Sequence, residues 1–127
     1  MNFCALTADQ NRVHVDAEYA ATMPYGQRIA PGMLVLSYMA GLNSRTIFNQ
    51  RLEHALIGVL DVQCRFPAPT LIGDTLSVHI EILKSTPTSK PNRGVTTFLR
   101  RAVNQRGETV AECEIAMMIK RRSEVTQ

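Results

Sequence analysis

Residues 31–47 read Pro-Gly-Met-Leu-Val-Leu-Ser-Tyr-Met-Ala-Gly-Leu-Asn-Ser-Arg-Thr-Ile. Pro31 suits the first position of a helix, where its fixed φ helps and its missing N–H costs nothing. From there Met33, Leu34, Leu36, Ser37, Tyr38, Met39, Ala40, Leu42 and Ile47 recur almost all round. A helix apolar on most faces is a buried helix. Gly32, Ser37, Ala40 and Gly41 are small enough to let another backbone come close. Downstream the period changes to two. Leu76, Val78, Ile80 and Ile82 alternate with Ser77, His79 and Glu81, the pattern of a strand with one covered face. Extended segments are predicted over 55–66, 75–83, 95–103 and 110–119. Phe66-Pro67-Ala68-Pro69 stops the first, Ile72-Gly73-Asp74 turns into the second, residues 87–94 form a long polar connection, and Arg106-Gly107-Glu108 makes a short hairpin turn. Helices followed by an antiparallel meander give an α+β fold, with the buried helix lying across one face of the sheet.

The chain of 127 residues fits a single domain, 1–127. With 45% hydrophobic and 20% charged residues it is neither a disordered nor a coiled-coil chain. Fourteen basic against eleven acidic residues leave a formal charge of +3. That excess is partly local, in Arg100-Arg101 and in Lys120-Arg121-Arg122. It reads as a solvated face with a ragged tail, or as a steering patch for an anionic ligand. The basic residues are not interleaved with aromatics, so no nucleic-acid partner is expected. Cys4, Cys64 and Cys113 form no CxxC pair and have no metal-spaced histidine. They read as reduced, mostly buried thiols of a cytoplasmic protein. Asp9, Arg12 and Asp16 rule out a signal peptide at the start, and no apolar run is long enough to span a membrane.

Upstream of the central helix, residues 1–7 look like a short helix and 8–15 like a polar turn entering an extended piece. Asp16 is a plausible N-cap for a brief helix through Thr22, broken by Met23-Pro24-Tyr25-Gly26. Asp9 and His14 stand five residues apart in this turn, with Asn11 between them to orient the loop. A carboxyl group and an imidazole so placed can polarise one water and move one proton. The residues alone leave a plainer alternative open: Asp9 and Asn11 as turn formers and His14 as a structural histidine.

Thr7, Asp9, Asn11, Val13, His14 and Ala20 match the signature of the MaoC-like, (R)-specific enoyl-CoA hydratase (hydratase 2) family, which the segment from Phe3 to Ala20 resembles. Residues 25–34 resemble that family's second motif. Phe66-Pro67-Ala68-Pro69 with Ile72-Gly73-Asp74 resembles its "F…P…P…GD" connection, so the likeness covers nearly the whole chain. It implies a hotdog fold, a long central helix wrapped by a curved antiparallel β-sheet, with an acyl thioester in a tunnel between two paired domains. It further implies that Asp9 and His14 are catalytic and that the Gly32 N–H receives the thioester oxygen. That N–H lies in the first turn of the helix, where donors are free and the dipole is positive. Asn11 would orient the loop. Ser37 would face the tunnel or simply pack.

The implied activity is hydro-lyase chemistry on 2-enoyl or (R)-3-hydroxyacyl thioesters of CoA or acyl carrier protein, in a homodimer or higher oligomer. A non-catalytic subunit that binds acyl thioesters or completes a hetero-oligomeric dehydratase is the alternative. No cofactor beyond the thioester carrier is expected, and no metal, since His14, His54 and His79 lack ligand spacing. Three residues depart from the family pattern: Ala8 stands for the usual Gly, Arg12 for Pro, and Pro31 for His. The family's usual N-terminal strand has no counterpart before the signature. Small branched or dicarboxylic acyl groups stay open, with Arg12 a possible partner for a substrate carboxylate.

Overall fold

The computed structural model describes residues 1–121. Arg122, the last member of the basic run, lies outside the described residues. Strands β1 (Leu56–Arg65), β2 (Ser77–Pro87), β3 (Arg93–Val103) and β4 (Thr109–Lys120) form one antiparallel sheet in the order β1-β4-β3-β2. The meander expected from the sequence therefore holds for β2, β3 and β4, but β1 pairs with β4 and not with β2. Pro67 and Pro69 explain this. They cannot fold β1 straight back into a tight hairpin, so residues 66–76 travel across the end of the sheet, tied there by a bridge between Ile29 and Leu71. β2 runs to Pro87 and β3 begins at Arg93, so the connection between them is shorter than expected.

The central helix, α4, spans Gly32–Ser44, and Pro31 caps it from an extended conformation (ψ 138°), one position earlier than read from the sequence. Arg45 ends it. Thr46 then caps a further helix, α5 (Ile47–Leu52), its hydroxyl accepting the Asn49 N–H at 3.0 Å. Val35, Met39 and Asn43 are the buried residues of α4, spaced by four along one stripe. They meet a sheet face whose centre is Ala102, Val110, Ala111, Cys113 and Ile115. Burial on most faces is not what this chain achieves alone. Met33 and Tyr38 are each 61% exposed, because one sheet covers one side of a helix. No helix of the described residues is long and apolar enough to cross a membrane.

One reading of the cysteines is overturned. Cys64 and Cys113 are register partners in the β1–β4 ladder, with Cα atoms 4.1 Å apart, and form a disulfide. Only Cys4 is a free, buried thiol. A pairing 49 residues apart in sequence depends on strand order, which cysteine spacing does not reveal.

Before α4 come three short helices, α1 (Asn2–Thr7), α2 (Arg12–Val15) and α3 (Ala17–Ala21). Residues 12–15, expected to be extended, form a helical turn because Asn11 caps it, its side chain accepting the Val13 N–H. Asp16 caps α3 as expected, accepting the N–H groups of Glu18 and Tyr19 at 3.1 Å each.

Candidate active site

His14 sits in the single turn of α2, between the Asn11 cap and the Asp16 cap. Its Nδ1 lies 2.8 Å from the carbonyl oxygen of Ile29. A carbonyl only accepts, so Nδ1 carries a proton, which leaves Nε2 as the ring nitrogen that could accept one. The strand-like segment that presents Ile29 is itself held on both sides. The Ile29 N–H donates to Val13 O at 3.1 Å and the Ala30 N–H to Thr70 O at 2.8 Å.

His14 and Gly32 line one cleft of about 370 Å³. Its opposite wall is Phe66 to Thr70, and Val35 and Val110 lie at its inner end. Among the described residues, no charged side chain lines it. Gly32 opens α4, and no side chain caps that end, so its N–H is among the free donors of the first turn. A Cβ built on Gly32 would lie 3.0–3.2 Å from three ring atoms of Phe66. Glycine at 32 thus lets the aromatic wall close onto the start of the helix.

The remaining residues singled out from the sequence fall elsewhere. Asp9 is half-buried in the turn ahead of α2, and one carboxylate oxygen accepts the Asn11 N–H at 3.3 Å. Neither Asp9 nor Asn11 lines the cleft. Ser37 is exposed on α4 and donates to the Met33 carbonyl at 2.8 Å, away from the cleft. Ala8, in place of glycine, still takes the left-handed conformation with φ 61°. Arg12 lies 3.7 Å from Asp16 and stacks 4.2 Å over the Tyr19 ring, and it does not line the cleft.

The second wall has an anchor that sequence reasoning did not mark as functional. The side chain of Asp74 is only 4% exposed and meets Arg106 at 3.2 Å. It accepts the Leu71 N–H and a Gln105 side-chain N–H, each at 3.0 Å. Burial pushes this carboxyl up, but the bonds from Leu71, Arg106 and Gln105 outweigh it and hold the group below the usual carboxylate range. The wall is thereby bolted to the β3–β4 hairpin. Its signal was the Gly73-Asp74 turn, which spacing alone shows only as a turn.

The chain matches the MaoC like domain over residues 1–104. It is 33% identical over 87 residues to a 3-hydroxybutyryl-CoA dehydratase of Methylorubrum extorquens, covering 68% of this chain and 52% of that protein. It is 29% identical over 117 residues to an (R)-specific enoyl-CoA hydratase of Rhodospirillum rubrum, covering 92% and 74%. The chain thus spans about half the length of the first relative and three quarters of the second. Among solved structures, a MaoC-like dehydratase from Rhodospirillum rubrum superposes with a TM-score of 0.80 at 28% identity, covering 91% of this chain and 77% of that one.

Proposed function

The chain belongs to the MaoC-like family of hotdog-fold hydratases and dehydratases, and on that footing we propose that it is a hydro-lyase. It adds water to 2-enoyl thioesters of CoA or acyl carrier protein, or removes water from the (R)-3-hydroxyacyl forms. The observation that carries this reading is the convergence of His14 and the Gly32 helix start on one uncharged cleft. His14 Nε2 takes a proton from a water whose oxygen bonds to C3. The C2–C3 double-bond electrons move toward the thioester, and the charge gathering on its oxygen meets the Gly32 N–H. The proton for C2 is assigned to the carboxylic acid form of Asp9 on the family signature alone, since in this single chain its carboxyl group accepts the Asn11 N–H outside the cleft lining. The imidazolium returns its proton to the Asp9 carboxylate, so the net change is H and OH across the double bond. A fixed donor at a developing oxyanion lowers the barrier by about 3 kcal/mol. The apolar lining, with Arg12 outside it, favours a short, uncharged acyl group over a dicarboxylic one. The reaction so described needs no metal and no further cofactor.

The same reading includes pairing with a second copy. β1 is an edge strand whose Ile57, Val59, Leu60 and Val62 are all exposed, as are Met33 and Tyr38 on the outer side of α4. Free edge groups and apolar surface of this kind are closed most simply by two-fold association. Sedimentation at micromolar concentration should show a dimer or larger species, and an active monomer would overturn this part. For the chemistry, crotonyl-CoA should lose its enoyl absorbance and yield the (R)-3-hydroxy product on chiral analysis. An (S) product contradicts the mechanism. No turnover across chain lengths and carriers favours the acyl-binding subunit instead.

A further inference from the structure

Tyr25 occupies the third position of the turn Met23–Gly26, which is closed by the Gly26 N–H donating to Met23 O at 2.9 Å. Pro24 fixes φ at the second position and Gly26 takes φ 69°. Just beyond, Ile29 is tied to Val13 and Ala30 to Thr70. The segment carrying Tyr25 is therefore fixed against both the His14 turn and the opposite wall. Tyr25 itself lines the cleft beside His14 and Gly32.

The polar side chains of that cleft are few: His14, Tyr25 and Thr70. Among the described residues, only His14 of these three uses its side chain in a hydrogen bond, to Ile29. At the helix start Pro31 has no N–H to offer, so Gly32, which lines the cleft, supplies the first backbone donor of the helix. An oxygen gaining enolate charge has lone pairs for more than one donor, and each preorganised donor contributes separately. The hydroxyl of Thr70 sits on a short β-branched stem in the Phe66 wall. Tyr25 lies on the segment that leads to Gly32, and both residues line the cleft.

We propose that the Tyr25 hydroxyl is the second donor to the thioester oxygen, forming an oxyanion pocket with the Gly32 N–H. The phenol keeps its proton throughout; it donates a hydrogen bond that shortens as the enolate forms. This inference rests on the hydro-lyase reading for its kinetics but not for its binding signature.

Tyr25→Phe removes one oxygen and keeps the ring. With crotonyl-CoA, kcat should fall about 10²-fold while KM changes by less than about threefold, the pattern of an interaction made mainly in the transition state. Infrared spectra of bound butyryl-CoA, which cannot be hydrated, should show the thioester carbonyl stretch lowered in the native chain and partly restored in Tyr25→Phe. Equal kcat in the two proteins, or a lower kcat with an unchanged carbonyl stretch, overturns the assignment. A shifted stretch without turnover of any enoyl thioester would sink the hydro-lyase reading and leave the donor standing. Turnover indifferent to the hydroxyl would do the reverse.

Discussion

The two walls of the cleft are built on different principles. The wall that presents His14 and Gly32 is assembled, over residues 9–32, from short-range side-chain caps. Asn11 caps α2, Asp16 caps α3, and Asp9 accepts from Asn11, all within four residues in sequence. Its long-range ties are the two bonds to Ile29 from the His14 turn and the Ala30–Thr70 bond. The opposite wall is held by Asp74, whose partners Gln105 and Arg106 lie 31 and 32 residues away in sequence. The first wall is local and partly exposed; the second is anchored through a buried carboxylate. On the proposed reading, His14 on the locally tied side can adjust around a substrate, while the anchored side keeps the cleft's shape. Substitutions should therefore separate, with turnover lost on one wall and stability on the other.

The largest effect belongs to the first wall. His14→Ala and Asp9→Asn should each lower kcat by about 10²–10⁴-fold, the usual contribution of general acid–base groups. Steady-state kinetics would measure this, with thermal melting in parallel. If the two groups serve one water, as proposed, the double variant should be little worse than the worse single one. A collapsed melting transition in His14→Ala would show that the imidazole holds the wall together, and the contrast between walls would fail.

The second wall should respond in the opposite sense. Asp74→Asn should lower Tm at pH 7 by several degrees and reduce kcat far less than the first-wall variants. The pH dependence follows from the depressed Asp74 carboxyl. Its contribution is fully present above the unfolded value, about 3.9. It is lost as pH falls through the lower folded value, where the native group finally takes up its proton. The Tm gap between native protein and Asp74→Asn should therefore be constant from neutral pH down to about 4–5 and close in more acid solution. A gap that persists at pH 2 would mean the asparagine acts through packing.

Much of this contrast was legible in the sequence, and the illegible part has one cause. Local signals were read well. Asp16 is the cap of α3, Pro24 and Gly26 form the break, and Gly107 (φ 81°) makes the β3–β4 turn. Each of these depends on a few neighbouring residues. The Asn11 cap leaves no mark in the apolar pattern, so the sequence predicts residues 12–15 as extended. The Thr46 cap, with its bond to Asn49, was missed because the apolar run continues across it to Ile47. What sequence could not show is register between distant strands. The β1–β4 pairing, the Cys64–Cys113 disulfide and the Asp74–Arg106 anchor all follow from that register. So does the meeting of Phe66 with Gly32, since residues 66–76 must cross the sheet end. For the site, the motif points to Asp9, His14 and Gly32, of which folding brings His14 and Gly32 to one cleft and adds Tyr25 and Thr70 beside them.

The smallest effect tests whether the His14 wall carries strain. Ala8 ends α1 in the left-handed region, at φ 61° and ψ 19°, directly before Asp9. A side chain there costs about 1–2 kcal/mol relative to glycine, because Cβ crowds the following carbonyl. Glycine would relieve that cost but would add about 0.4–1 kcal/mol of freedom to the unfolded chain. The balance leans one way: Ala8→Gly should raise stability, by between about zero and 1.6 kcal/mol. Ala40 gives the control. It is exposed within α4, where glycine costs about 1 kcal/mol relative to alanine. The same replacement should thus stabilise at 8 and destabilise at 40 in denaturant titrations. Ala8→Gly should also leave kcat nearly unchanged. The Asp9 turn is still closed on both sides, by Thr7 Oγ1 accepting the Asp9 N–H and by Asp9 accepting the Asn11 N–H. If Ala8→Gly were less stable and slower, the alanine would be stiffening the turn that aims Asp9. The His14 wall would then owe its order to backbone strain in addition to its caps.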